Sequence, residues 1–201
     1  MDLFEAIRST RSMRRLDPAR DVSEGDVETM LDAATRAATG GNSQPVRWLV
    51  VRHPELKGRI GELYRQGAEV VLKRYEDEAA NNPAAARMLK SSWHLADHMG
   101  EAPVLVIPCA RGERGRVDSS VFPGVQNLML AARAIGLGTT LTTIHRLHED
   151  EIKELLGIPA DVHTFAVIPV GYPLGRWGEA RRRPVSQVTY RDRWGQASPV
   201  S

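Results

Sequence analysis

Two arginine-rich stretches hold the chain's most concentrated chemistry. Near the start, Thr10-Arg11-Ser12-Met13-Arg14-Arg15-Leu16 places three guanidinium groups and a hydroxyl within five positions. Near the end stands Arg181-Arg182-Arg183-Pro184. Arginine's planar, permanently charged fork matches two phosphate oxygens at once, so each stretch is a candidate anion cradle. A basic run taken alone is also ordinary solvated surface charge. Convergence of the two runs on one phosphate is what the first reading requires. A second kind of chemistry sits at Thr39-Gly40-Gly41-Asn42-Ser43-Gln44-Pro45. Asn42 and Gln44 each carry a donor and an acceptor on one planar amide and can read the edge of a heterocycle. The same composition also makes a plain turn.

Other candidates are weaker. Cys109 is the only cysteine, which excludes an internal disulfide and points to a reducing compartment. It lies in an apolar run and reads as a small core residue rather than a nucleophile. His94 and His98 are four apart and share a helix face. A zinc-protease motif needs Glu after the first His; Leu95 stands there, so packing or surface roles are expected. Gly136-Leu137-Gly138 lacks a third glycine and follows a helix, so it is no dinucleotide fingerprint.

The elements that must position these groups follow from spacing. Asp2 caps a helix to about residue 9, with Leu3, Phe4 and Ile7 on one face. Ser23 caps a second helix that presents Val27, Met30, Leu31 and Ala34 to the core and stops at Thr39-Gly40-Gly41. A strand is expected at 47–52, a long helix at 54–78 and a further helix at 84–99, a region able to cover a pocket. Residues 103–109 form a strand apolar on both faces. The helix from 119 or 120 to 135 is apolar nearly all round, so it must be buried within the subunit or against a partner. A β segment at 138–144, a helix at 148–156 and a buried strand at 164–171 complete the body. Residues 184–190 alternate as an edge strand would, and such a strand needs another edge to pair with.

Composition limits the function classes. The 201 residues suit one domain, 1–201, with 42% hydrophobic and 26% charged residues. Aromatic residues make up only 5%, so Ala, Leu, Val and Met carry the core. Net charge is only +2, and no interleaved aromatics accompany the basic runs, which argues against a nucleic-acid partner. No stretch approaches a membrane span, and the acidic N-terminus is unlike a secretory signal. A soluble, cytoplasmic protein is expected.

Four blocks in order resemble the nitroreductase family of FMN flavoproteins, over nearly the whole chain. Arg11-Ser12-Met13-Arg14-Arg15-Leu16 is similar to the family's Arg-Arg-Ser-x-Arg-x-Phe, and residues 38–45 to its Pro-Ser-x-x-Asn-x-Gln-Pro-Trp. Ala134-Ile135-Gly136-Leu137-Gly138-Thr139 is the third block, and Val167-Ile168-Pro169-Val170-Gly171-Tyr172-Pro173 the fourth. Thr10 and Val46 depart from the pattern, and Ala38-Thr39 replaces Pro-Ser. The resemblance implies an α+β three-layer sandwich, its mostly antiparallel sheet flanked by helices, and a homodimer exchanging C-terminal strands.

It further implies an FMN-dependent oxidoreductase that moves electrons from NAD(P)H, NADPH included, through flavin N5 to a small-molecule acceptor by a ping-pong mechanism. Nitroaromatics, quinones, enones and flavins would all qualify. Carried over by position, Arg11, Ser12 and Arg14 or Arg15 hold the phosphate, with Met13 in the same cofactor-binding stretch. Arg182 or Arg183 complete that site. Thr39, Asn42 and Gln44 meet the ribityl chain or ring, and Thr142 and Thr143 line the flavin face. A branch of the family that fragments its own flavin into a benzimidazole shares Met13-Arg14-Arg15 but carries an acid where Ser12 stands. A non-catalytic flavin- or anion-binding protein is the remaining alternative.

Overall fold

The computed structural model describes residues 1–196. In chain order the elements are α1 (Leu3–Ser9), α2 (Glu24–Thr35), β1 (Val46–Val51), α3 (Pro54–Leu72), α4 (Glu76–Asn81) and α5 (Pro83–His98). They continue with β2 (Val104–Arg111), α6 (Asp118–Ala134), β3 (Gly138–Thr139), α7 (Glu149–Leu156), β4 (Val162–Thr164) and β5 (Ile168–Gly171). The strands form one antiparallel sheet in the order β1-β2-β5-β3, with β4 also paired to β2. Helices cover both faces, giving the α+β sandwich that the sequence implied.

The alternation of β2 builds that architecture. Val104, Val106 and Ala110 join α2 and α6 in one core. Leu105, Ile107 and Cys109 face the opposite way and pack with α3 and α5. A strand buried on both faces is therefore apolar at every position. Close approaches depend on small residues. A Cβ on Gly61 would come within 2.8 Å of the Gly100 backbone, so α3 meets the 99–101 turn only because both lack side chains.

The stretch 164–171 is two strands rather than one. Thr164 pairs with Cys109 and Phe165 N donates to the Pro108 carbonyl at 2.9 Å, whereas Ile168 pairs with Val106. One extra residue is thus inserted opposite β2, a β-bulge. Phe165 and Ala166 consequently enter the same core, breaking strict alternation. Pro108 supplies the cause: it has no N–H to return a bond toward Phe165, so the ladder cannot continue there.

Other boundaries also move. The second helix ends at Thr35, before Thr39-Gly40-Gly41. The long helix breaks at Leu72 into a 3-10 turn, Lys73–Tyr75, and then α4. After Thr139 only Thr142 makes a bridge, to Val167, so 138–144 is mostly loop. Among the described residues the tail makes a 3-10 turn at Val185–Gln187 and a single bridge position at Tyr190, not the expected strand over 184–190. Leu3, Phe4 and Ile7 do share a face, but that face is exposed.

Candidate functional site

The first basic stretch is laid along the sheet as an extra, irregular edge. Thr10 closes α1 by donating its hydroxyl to the Ala6 carbonyl at 2.6 Å. Met13 N then bonds the Thr139 carbonyl at 2.9 Å, and Asp17 N the Tyr172 carbonyl at 2.8 Å. Gly138 makes room for this edge, since a Cβ there would lie 2.8 Å from that of Met13. Met13 is therefore a buried packing residue. Arg11, Ser12 and Arg15 remain at the surface, while Arg14 is turned inward.

Arg14 enters a cavity of about 260 Å³ with Tyr64, Leu72, Leu95, Thr142 and Ile144 among its walls. Desolvation lowers the Arg14 pKa, partly offset by Tyr64. Among the described residues no carboxylate lies within ion-pair reach of it. The Tyr64 hydroxyl and Thr142 Oγ1 are 2.8 Å apart, and burial pushes the phenol's pKa up. A cation without a counter-ion in a mostly apolar recess is a costly arrangement unless something anionic or electron-rich completes it. Thr142 exchanges backbone bonds with Val167 in both directions, at 3.2 and 2.9 Å, and Thr143 is exposed beside it.

The amide loop has its own strain. Gly41, Asn42 and Gln44 have φ of 57°, 52° and 46°. Two of these three left-handed residues are not glycine, a conformation that clusters at functional sites. The loop is held from within: Gln44 N donates to Thr39 Oγ1 at 3.1 Å, and Gly40 N to Ser120 Oγ at 3.1 Å. Thr39 and Gln44 line a separate cavity of about 180 Å³ with Trp48 and Ser120. That cavity lies in the α2–α6 layer, whereas the Arg14 cavity lies in the α3–α5 layer. The sheet stands between them, so one chain does not bring Thr39, Asn42 and Gln44 to Arg14 and Thr142.

The tail run reaches α1. Arg181 and Arg182 share a recess of about 490 Å³ with Ile7, Arg8 and Glu179, and Arg8 Nε lies 3.9 Å from Glu179. Arg183 is exposed and does not line that recess. Sequence reasoning passed over Arg8, and also Arg133. The latter is buried, donates Nε–H to Ser9 Oγ at 2.9 Å and lies 4.1 Å from the Trp177 ring centroid. The signal for Arg133 was present: a lone charge on an apolar helix. Tyr64 carried none, because its spacing matches the core positions around it.

Two further groups have structural roles. Cys109 is buried and its thiol is pushed up to about 11 by desolvation, with Glu149 adding to it. His94 and His98 stack at 4.2 Å, and His98 Nδ1 bonds the His94 carbonyl at 2.8 Å. Among the described residues no group of three His, Cys, Asp or Glu could hold a metal, and no helix is long and apolar enough to cross a membrane.

A sheet flanked on both faces, a basic edge segment and a strained amide loop define a class rather than one protein. The nitroreductase family model matches residues 7–172, and the chain belongs to that family. A Methanothermobacter thermautotrophicus protein provisionally named NADH dehydrogenase/NAD(P)H nitroreductase is 30% identical over 181 residues, covering 86% of this chain and 78% of its own. The iodotyrosine deiodinase of Drosophila melanogaster is 28% identical over 186 residues, covering 85% and 62%. Among solved structures, a BluB-like flavoprotein of Clostridium difficile 630 superposes with a TM-score of 0.76 at 20% identity, covering 96% of this chain and all of that one. An iodotyrosine deiodinase bound to FMN and 3-iodo-L-tyrosine gives 0.75 at 23%, covering 91% and 96%. Both share this fold.

Proposed function

We propose that the chain is an FMN-dependent oxidoreductase that takes electrons from NAD(P)H and passes them to a small organic acceptor, working as a homodimer. The carrying observation is Arg14: a half-buried guanidinium without a counter-ion among the described residues, facing a mostly apolar cavity beside Tyr64 and Thr142. These residues fit a ring system with an electron-rich edge. When bound, FMN supplies reversible two-electron chemistry at its N5. The chain supplies position and charge. Arg14 stabilises negative charge on the ring in a water-poor recess, where such an interaction is strong. Between Arg14 and Arg15, burial selects Arg14 for that role. Arg11, Ser12 and a tail arginine, Arg182 or Arg183, stay accessible for phosphate. The Thr142–Thr143 backbone, fixed to Val167, would line the ring.

A second copy supplies what one chain lacks. Thr39, Asn42 and Gln44 face away from Arg14 across the sheet, so in this reading they serve the partner's ring. Exposed apolar residues support such assembly: Leu3, Phe4 and Ile7 on α1, then Val185, Val188 and Trp194 in the tail, the last 90% exposed. Relatives' names and FMN-bound members of the same fold support the cofactor.

Fluorescence titration with FMN, followed by sedimentation, tests the reading. A dimer binding one FMN per chain is the expected result; a monomer that takes up no FMN rejects it. Turnover with NADH and NADPH against a nitroaromatic, a quinone, an enone, free flavin and 3-iodotyrosine then names the acceptor class.

A further inference from the structure

Beneath the Thr142–Thr143 loop lies a polar network that the proposed chemistry does not use. His145 is fully buried in the 3-10 turn Ile144–His148, and its Nε2 is 2.9 Å from Thr164 Oγ1 on β4. Thr164 donates both its N–H and its hydroxyl to Glu149 Oε1, at 2.7 and 2.8 Å. Arg114 pairs with the other Glu149 oxygen and bonds the Thr164 carbonyl at 3.0 Å.

These bonds fix where each proton sits. Glu149 is ionised: burial disfavours its charge, but Arg114 and the two Thr164 donors outweigh that and hold its pKa down at about 2. A carboxylate only accepts, so the threonine hydrogen points to Glu149. Thr164 Oγ1 is left to accept, and His145 Nε2 must carry the hydrogen. Nδ1 is then bare, with no well-aligned hydrogen-bond partner among the described residues. Burial favours that neutral ring, lowering its pKa to about 4 against the pull of Glu149, with Arg146 and Arg114 adding to the depression and the Thr142 backbone opposing it.

We propose that His145, acting through Thr164 and Glu149, is a positioning residue that pins the Thr142–Thr143 backbone in place for the flavin ring. The inference rests on the FMN reading above. The loop has three anchors: the Thr142–Val167 bridge and the Tyr64–Thr142 hydroxyl bond in its middle, and His145–Thr164 directly after its end. The His145 bond ties the start of the turn that follows the loop to the sheet, and the Glu149 carboxylate ties the turn's end to the same threonine. With a single tautomer and a fixed acceptor, the ring admits one orientation.

Two measurements test this. In the ligand-free chain, nitrogen chemical shifts of His145 are expected to show the neutral Nε2–H tautomer at pH 7; the Nδ1–H tautomer in the wild type would overturn the proton order. Thr164→Val removes only the hydroxyl, and Thr164→Ser restores it. The valine variant, which loses the hydroxyl's bonds to both His145 and Glu149, is expected to exchange the Thr142 and Val167 amides faster and to bind FMN about tenfold more weakly. The serine variant should recover both. Unchanged amide exchange in Thr164→Val, or faster exchange with unaltered FMN affinity, overturns the positioning role. A wild type that binds no FMN defeats the cofactor reading instead, and the tautomer and exchange results still decide what His145 holds.

Discussion

Replacing Arg14 by methionine should separate ligand recognition from folding. Methionine keeps most of the unbranched stem and its packing against Leu95 and Tyr64 but removes the charge. In the free protein that charge has no acidic partner among the described residues and is partly desolvated, so its loss should leave stability unchanged or raise it by up to ~1 kcal/mol. For a chain of this size such a gain is about 2–4 °C in Tm. Toward FMN the sign reverses. A hydrogen bond to a charged group contributes roughly 1.5–3 kcal/mol, so Kd should rise by about 10- to 150-fold. Thermal melts of the free protein and fluorescence titration with FMN read the two effects separately. If the variant melts lower by several degrees while its FMN affinity is unchanged, Arg14 is a structural cation and the site assignment fails.

Other outcomes follow from the same geometry. Asn42→Gly should stabilise the free protein by up to ~1 kcal/mol by relieving its left-handed backbone, and Asn42→Val should cost about 1–2 kcal/mol, with FMN affinity falling in both; urea melts and titration check this. Acid should destabilise the fold in two windows. His145 binds its proton near pH 4 folded but 6.5 unfolded, and Glu149 near 2 folded but 4.5 unfolded. In both cases the unfolded chain binds more protons, so stability falls as pH drops, by as much as ~3 kcal/mol per group. A flat profile of urea stability between pH 7 and 4 would contradict the His145 assignment. Cys109, buried with its thiol pushed up to about 11, should resist a thiol reagent at pH 8 until the chain unfolds, which absorbance at the reagent's product band reports.

Much of the frame was legible from pattern. Residues 103–109 read as a two-faced buried strand, and β2 is that strand because helices cover both sides. Asp2, Ser23 and Gly157 marked helix ends that the structure keeps, Gly157 in the left-handed conformation. What stayed hidden depends on partners distant in sequence. Pro108 was visible, but the bulge opposite it needs β4 as well. Spacing could not say which arginine of 11, 14 and 15 turns inward, because pairing of Met13 with Thr139 sets that choice. The amide loop and Arg14 were each found by residue type, yet their separation by the sheet is a property of topology alone. Tyr64 entered as a core position, and only its neighbour Thr142 gives its hydroxyl a purpose.

The irregular step at Phe165–Val167 constrains how this chain can change over generations. Losing one residue there would remove the extra residue and run β4 and β5 together as one regular strand opposite β2, and would withdraw the Val167 groups to which Thr142 is tied. Length variation in that segment therefore acts directly on the loop that Thr142 anchors. In the 111–116 turn Arg114 is held by Glu149 and the Thr164 carbonyl, so insertions that diversify relatives are expected at its exposed positions, such as Gly115 and Arg116, instead.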